Sequence, residues 1–282
     1  MKIIKKIDVN EFPEWSSWPQ MLLGLGIWKN ASRTVGKIEQ EYNIEKYGQC
    51  LAQFGKGNHS IEEIRAYYDS AIQKKECISL GSSLVIVGGR DFLRTYEKLI
   101  VDSVLPEIKD GDAVVELGAG FGYNLHLLSK ISKKNVEYLG GEYSRNAVTL
   151  AAKVFEGRAN ISVEHFNFYD EDYAILKKID RPIVLFTAHA IEQIPDISNM
   201  FKVLSKYRKK IRSVVHLEPL YSTDKSTLLG LMRQRYAEVN DYSRNLLPLL
   251  EKTSGIKITS VKRDVMGGSP LNPTSVIKWH YR

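Results

Sequence analysis

Hydrophobic and polar positions divide the chain into two unlike parts. Up to about residue 87 no strand–helix alternation repeats. Glu39 to Phe54 and Ile61 to Cys77 read there as amphipathic helices, with Ser60 and Glu63 forming a capping box at the second. After Asp91 the pattern becomes regular. Phe92 to Leu105 predicts a helix stopped by Pro106. Apolar strands are predicted at Ala113–Leu117, Val136–Gly140, Ile161–Phe166, Ile183–Thr187 and Val214–Leu217. Helices over Tyr123–Ser132, Arg145–Phe155 and Ile197–Lys210 fall between them. Such alternation predicts βαβ units and a parallel sheet with helices on both faces. Ser226 to Leu250 reads as mainly helical. Ile256–Val265 and Ser275–Tyr281 then read as two strands joined only by the turn-rich loop Met266–Pro273. The chain is thus expected to hold a helical cap over residues 1–87 and an α/β domain over 88–282, with a polar helical insert at about 223–250.

Composition narrows the class. At 282 residues, 43% hydrophobic and 26% charged, the chain is neither disordered nor fibrous and is long enough to bury a full core. Cys50 and Cys77 are far apart and form no metal or disulfide pattern, so buried thiols are expected. The opening Met1–Lys6 is basic with no apolar stretch after it, unlike a secretory signal. The apolar runs are too short to span a bilayer. A cytoplasmic location is the expectation.

The most informative stretch is Ala113-Val-Val-Glu-Leu-Gly-Ala-Gly-Phe-Gly-Tyr-Asn124: an apolar strand, Gly118-x-Gly120-x-Gly122, then a helix. Glycines permit positive φ and close approach to a ligand, which in an open parallel sheet sits beyond the carboxyl ends of the strands. A dinucleotide loop places its third glycine one residue later. The acidic residue two positions before the first glycine, with this glycine spacing, resembles motif I of the class I S-adenosylmethionine (SAM)-dependent methyltransferases. Glu142 and Tyr143 end the second strand, and Asn167 and Phe168 end the third. The four follow in the order that the resemblance implies for ribose and adenine contacts.

From about Asp91 to Tyr281 the resemblance implies a seven-stranded, mostly parallel sheet with one antiparallel strand, and SAM as cofactor. It implies cofactor contacts at Arg90, Glu116, Gly118, Ala119, Gly120, Gly122, Tyr123, Glu142, Tyr143, Asn167, Phe168 and Thr187. Arg90 would meet the SAM carboxylate.

Methyl transfer is in-line displacement, helped by alignment and by proton removal from a neutral nucleophile. The fourth strand ends in Thr187-Ala-His189-Ala-Ile-Glu192 and the fifth in His216-Leu-Glu218. His189 is the candidate general base, oriented by Glu192, with His216 and Glu218 as second candidates. For each histidine the alternative is a hydrogen-bonded residue that holds loop geometry. A metal-dependent mechanism is not expected, because the acidic residues of the metal-dependent catechol-type enzymes do not appear after either strand. The Asn/Asp-Pro-Pro-Tyr/Phe signature and a cysteine after the fourth strand are also missing. O-methylation of a hydroxyl or carboxylate on a small molecule or peptide is the reading. RNA or protein N-methylation, an NAD(P)-dependent oxidoreductase and a non-catalytic SAM-binding module are the alternatives.

Arg33, Tyr236, Asn240 and Asn272 are candidate substrate contacts, with Trp15, Trp18 and Trp28 as cap aromatics. The net charge of +7 suggests an anionic partner, yet nine basic residues face three acidic ones between Lys177 and Arg212. Nearly the whole excess therefore sits around one covering helix. A solvated basic face is expected there rather than a nucleic-acid groove. No membrane contact is expected, and oligomeric state is unreadable.

Overall fold

The structure, a computed structural model, describes residues 1–25 and 32–282; Trp28 lies outside the described residues. The first part holds β1 (Ile3–Ile7), α1 (Trp18–Leu22), α2 (Val35–Ile38), a π-helical stretch (Glu39–Tyr47), α3 (Gly48–Phe54), α4 (Ile61–Tyr68), β2 (Lys75–Leu80) and β3 (Ser83–Gly88). The second part holds α5 (Gly89–Val104), β4 (Ala113–Leu117), α6 (Tyr123–Ile131), β5 (Glu137–Glu142), α7 (Arg145–Val154), β6 (Ile161–His165), α8 (Ala174–Lys177) and β7 (Ile183–Ala188). It continues with α9 (Ser198–Lys206), β8 (Ile211–Glu218), α10 (Leu228–Val239), α11 (Leu246–Lys252), β9 (Ile256–Met266) and β10 (Thr274–Tyr281).

The large sheet runs β6-β5-β4-β7-β8-β10-β9. β4 to β8 pair in parallel, while β10 is antiparallel to both β8 and β9. This is the seven-stranded sheet with one antiparallel strand that the glycine-loop resemblance implies. Its central strands alternate between two cores. Ala113, Val115, Leu117, Ile183 and Leu185 pack on one face, and Val114, Val184 and Phe186 on the other. Burial on both faces explains why these strands read as unbroken apolar runs.

One expectation is corrected. The cap is not wholly helical, because it carries a three-stranded antiparallel sheet in the order β1-β3-β2. The helix predicted over Ile61–Cys77 stops at Tyr68, and Cys77 lies in β2. The chain turns back at Gly81, whose φ of +58° glycine accepts without strain, so β2 and β3 form a hairpin. This small sheet is also joined to the large one: Ser79 and Gly267 exchange backbone hydrogen bonds, each 3.0 Å long. The Ser60–Glu63 capping box is present as expected.

The insert is built from α10 and α11. Its tyrosines Tyr236 and Tyr242 are buried with Ile7, Phe12, Cys77, Leu84 and Ile86. Arg233 fixes that contact from inside, donating to the carbonyls of Pro270 and Gly81 and pairing with Asp264 at 2.9 Å. Cys50 and Cys77 are free and buried. Among the described residues no helix is long and apolar enough to cross a membrane.

Candidate active site

β4 ends under the glycine loop. Gly118, Gly120 and Gly122 have φ of +83°, +54° and +83°. The amides of Gly118 and Ala119 both donate to the Gly141 carbonyl, at 2.7 and 3.1 Å, which folds the loop back onto β5. A Cβ on Gly118 would overlap the Cβ of Ala190, and one on Gly120 the hydroxyl of Tyr47. The glycines are thus required by conformation and by space.

Glu142, at the end of β5, accepts from the amides of Gly120 and Ser144, each at 2.8 Å. Two such bonds leave lone pairs on both oxygens for further donors. Glu116 lies deeper. Burial pushes its carboxyl up to about 8; one oxygen accepts from Asn124 at 2.7 Å and the other has no partner. An unpartnered buried acid of this kind suits a cationic ligand group approaching past Asn124, which itself lines the cavity.

That cavity, about 490 Å³, runs along the carboxyl edge of the sheet and lies within the ~300–1,000 Å³ typical of small-molecule sites. At its β5–β6 end it is lined by Glu142, Tyr143, Asn167 and Phe168, with Gly118 beside them. At its β7–β10 end it is lined by His189, Glu192, Asn272 and Thr274. The cap closes it from above with Tyr42 and Tyr47 of the π-helical stretch and Tyr68 at the end of α4. π-Helical turns are rare and frequent at functional sites. This one is pinned to the body through Asn43, whose side-chain oxygen accepts from the Ser144 hydroxyl and the Asn146 amide.

His189 sits at φ +50°, a left-handed conformation that costs a non-glycine residue free energy. Glu218 holds the turn, both carboxylate oxygens accepting from the Ala190 amide at 3.0 and 3.1 Å and one also from the Ile191 amide at 3.3 Å. The imidazole is bound at both nitrogens: Nδ1 lies 2.9 Å from Glu192 Oε2 and Nε2 lies 2.6 Å from Thr274 Oγ1. Glu192 also accepts from Asn272 and Gln193. Burial alone would lower the imidazole, but the charges of Glu192 and Glu218 outweigh it and hold His189 above its usual 6.5. Burial likewise raises Glu192, and His189 with the other donors more than reverses this. Glu218 is pushed up to about 7 by burial and by the neighbouring Glu192.

Of the residues singled out in the sequence, the cavity brings together Gly118, Glu142, Tyr143, Asn167, Phe168, His189, Glu192 and Asn272. Ala119, Gly120, Gly122 and Glu116 lie behind the loop surface. Tyr123 faces α5, donating to Glu97 at 2.8 Å. Thr187 is buried beneath the site, 2.9 Å from His216 Nδ1. Burial drives His216 down to about 3, so it stays neutral in the core, and it does not line the cavity. Glu218 acts from below through the backbone.

Arg90 is exposed on the first turn of α5 and away from the cavity. Arg33 pairs with Glu41 at 2.5 Å and with the Tyr242 hydroxyl at 3.2 Å, tying cap to insert. Tyr236 packs edge-on against Trp18, and Asn240 bonds the Tyr236 carbonyl, so both belong to the insert's own packing. Trp15 is exposed.

Arg65 and Asp69 also line the cavity, near Asn124, without a signal in the sequence that marks them. Arg65 donates to Asp69 at 2.5 Å. Their i,i+4 spacing is visible in the sequence, but a helix predicted over Ile61–Cys77 hides the turn that ends α4 at Tyr68. Tyr47, Tyr68, Phe92 and Tyr96 are further lining residues whose aromatic type carried no signal by itself. None of the basic residues between Lys177 and Arg212 lines the cavity. Among the described residues no group of three or more His, Cys, Asp or Glu side chains is placed to hold a metal ion.

No family model matches the chain, and no curated protein does. Among solved structures it is similar to a SAM-dependent methyltransferase from Aquifex aeolicus (16% identity, 67% of this chain, 97% of that one, TM-score 0.43). It is also similar to the mitomycin 7-O-methyltransferase MmcR (13% identity, 95% and 68% of the two chains, TM-score 0.49). A third is the geranyl diphosphate C-methyltransferase from Streptomyces coelicolor A3(2) (9% identity, 69% and 82%, TM-score 0.47). Through its own strand order, single antiparallel strand and glycine loop, the chain has the class I methyltransferase fold.

Proposed function

We propose that the protein is a SAM-dependent methyltransferase that O-methylates a hydroxyl on a small molecule, without a metal. One observation carries this reading: the nucleoside-type contacts Glu142, Tyr143, Asn167 and Phe168 and the His189–Glu192 pair open onto the same cavity. SAM, when bound, supplies an electrophilic methyl group on a sulfonium.

The residues present fit such a ligand. Glu142 has free acceptor capacity for ribose hydroxyls, and the aromatic faces of Tyr143 and Phe168 suit adenine. The Arg65–Asp69 pair offers one cation and one anion to an amino-acid tail, with Glu116 behind Asn124. At the other end His189 takes a proton from the acceptor while Glu192 stabilises the imidazolium. A carboxylate acceptor has no proton to lose and would meet Glu192 with like charge, which favours a hydroxyl.

Calorimetry with S-adenosylhomocysteine tests the cofactor, with NADH as the comparison; binding of NADH instead would overturn the reading. Product analysis after incubation with labelled SAM and candidate acceptors tests the reaction. Methyl transfer leaves S-adenosylhomocysteine. Recovery of methylthioadenosine would instead mean that the aminocarboxypropyl group had moved.

A further inference from the structure

Arg65 on α4 is held at two points, and the second is an aromatic face. Its Nε donates to Asp69 Oδ2 at 2.5 Å, one helical turn on. Its guanidinium carbon lies 4.7 Å from the centroid of the Tyr123 ring, inside the ~6 Å over which a ring face attracts a cation. The guanidinium therefore cannot swing about the Asp69 bond without leaving the ring. The Nε bond uses one of its five N–H donors. Among the described residues Nη1 and Nη2 make no hydrogen bond. The side chain is 22% exposed and lines the cavity, so both terminal nitrogens remain for a carboxylate, which a guanidinium can take bidentately.

Tyr123 is itself fixed. It opens α6 directly after Gly122, so the glycine loop sets where its backbone lies. Its hydroxyl donates to Glu97 of α5 at 2.8 Å. Burial and Glu97 push the phenol up, so it stays protonated and keeps donating. A hydrogen bond given to a carboxylate polarises the ring toward greater electron density, which strengthens its hold on a cation. The ring does not line the cavity. At the start of α4, Glu62 lies 3.1 Å from His126 Nε2 and accepts from Lys130 at 2.9 Å, both on α6. The cap helix is thus seated along α6 from Glu62 to Arg65.

Resting on the methyltransferase reading and its Arg65 contact, we propose that Tyr123 is a positioning residue for the amino-acid tail of the cofactor: its ring holds the Arg65 guanidinium where that group meets the tail carboxylate. The resemblance in sequence implies a cofactor contact at Tyr123, and the ring serves the cofactor one group removed. The glycine loop then has two tasks. It approaches the nucleoside through its backbone, and through the residue after Gly122 it sets the cation that recognises the tail.

Calorimetry with two ligands tests this: S-adenosylhomocysteine carries the tail and 5′-methylthioadenosine does not. Tyr123→Leu is expected to weaken S-adenosylhomocysteine about fivefold and to leave 5′-methylthioadenosine within about twofold. Tyr123→Phe keeps the ring face and is expected to recover most of the loss. In an Arg65→Ala background Tyr123→Leu is expected to cost nothing further, because the ring acts only through the guanidinium. A further loss there, an equal loss of both ligands, or unchanged S-adenosylhomocysteine affinity in Tyr123→Leu overturns the proposal. Circular dichroism shows whether each variant is folded, and Tyr123→Met, which also lacks the ring, takes the place of a Tyr123→Leu protein that is not. If Arg65→Ala alone leaves S-adenosylhomocysteine affinity unchanged, the Arg65 contact falls and this proposal with it. Failure of the wild type to bind either ligand defeats the methyltransferase reading instead.

Discussion

The carboxylate of Glu218 lies directly under the amide of Ala190, 3.0 and 3.1 Å from its two oxygens. This contact fixes the left-handed turn that aims His189 at the cavity, and it couples the two groups electrostatically. Burial and Glu192 raise Glu218 to about 7 in the folded state against an ordinary 4.5. For a carboxylate raised on folding, the protonated form is favoured by the fold. Its stability contribution is full below about 4.5 and is lost as pH rises through about 7. Glu218→Gln is therefore expected to flatten the fall in stability between those values, read from urea midpoints at several pH values. The same variant removes a negative neighbour, so the His189 titration, followed by NMR, should move downward. An unchanged His189 midpoint would show that the two groups are not coupled.

His189 itself has its pKa raised in the folded state, so the sign runs the usual way for a histidine with an acidic partner. The His189–Glu192 pair stabilises fully below about 6.5 and loses that contribution as pH rises through the folded value. Catalysis runs opposite, since only the neutral ring takes a proton. Methyl transfer is expected to rise with pH along a limb lying above 6.5. Glu192→Gln should shift that limb to lower pH, and His189→Ala should cost about 10²–10⁴-fold in turnover with cofactor affinity unchanged. Wild-type turnover by His189→Ala would remove the ring from the mechanism.

Gly118 is doubly constrained, by φ of +83° and by Ala190. Gly118→Ala should destabilise the protein by about 1–3 kcal/mol and weaken S-adenosylhomocysteine binding at least tenfold. Adding Ala190→Gly relieves the overlap but not the backbone strain, so the double variant should recover part of the binding and not all of it. Full recovery would mean that the strained φ costs nothing. Calorimetry on the three proteins separates the outcomes.

Arg233 tests how the small sheet and insert are joined to the body. Its side chain is 7% exposed and bridges Asp264, the Gly81 carbonyl and the Pro270 carbonyl. Arg233→Met keeps bulk but leaves Asp264 and the buried carbonyls without this donor. A loss of about 3–5 kcal/mol is expected from denaturant unfolding. A loss below about 1 kcal/mol would mean that water replaces the arginine.

The large sheet was legible because its strands are buried on both faces, and the glycine loop because Gly118, Gly120 and Gly122 each answer a positive φ. Glu142, Asn167 and His189 line one cavity because their strands end at the same edge of the sheet, and strand ends can be read from the sequence. The hairpin at Gly81 was not legible, since Lys75–Leu80 mixes charged, polar and apolar residues and follows a helical run without a proline. Arg33, Tyr236 and Asn240 suggest substrate contacts in the sequence only because they are polar or aromatic. Arg33 pairs with Glu41, Asn240 bonds a helix carbonyl and the Tyr236 ring packs edge-on against Trp18, which only tertiary packing reveals. His216 is a second candidate beside His189 in the sequence, and burial takes it out of the cavity.

The sharpest disagreement between sequence and structure concerns the cation for an amino-acid tail, and it is directly testable. Arg90 opens the helix that leads into the first strand of the large sheet, but its side chain is exposed on α5. Arg65 comes from α4, is held by Asp69 at 2.5 Å, stacks over Tyr123 with its guanidinium 4.7 Å from the ring centroid, and faces the glycine loop. A charge-assisted contact of this kind contributes about 1.5–3 kcal/mol, or roughly 10–100-fold in affinity. Arg65→Ala should therefore weaken S-adenosylhomocysteine by that factor, while Arg90→Ala should leave it within about twofold. 5′-Methylthioadenosine, which lacks the amino-acid tail, should bind wild type and Arg65→Ala alike. The reverse pattern, with Arg90→Ala weakened and Arg65→Ala intact, would place the tail over α5 and not at the end of α4.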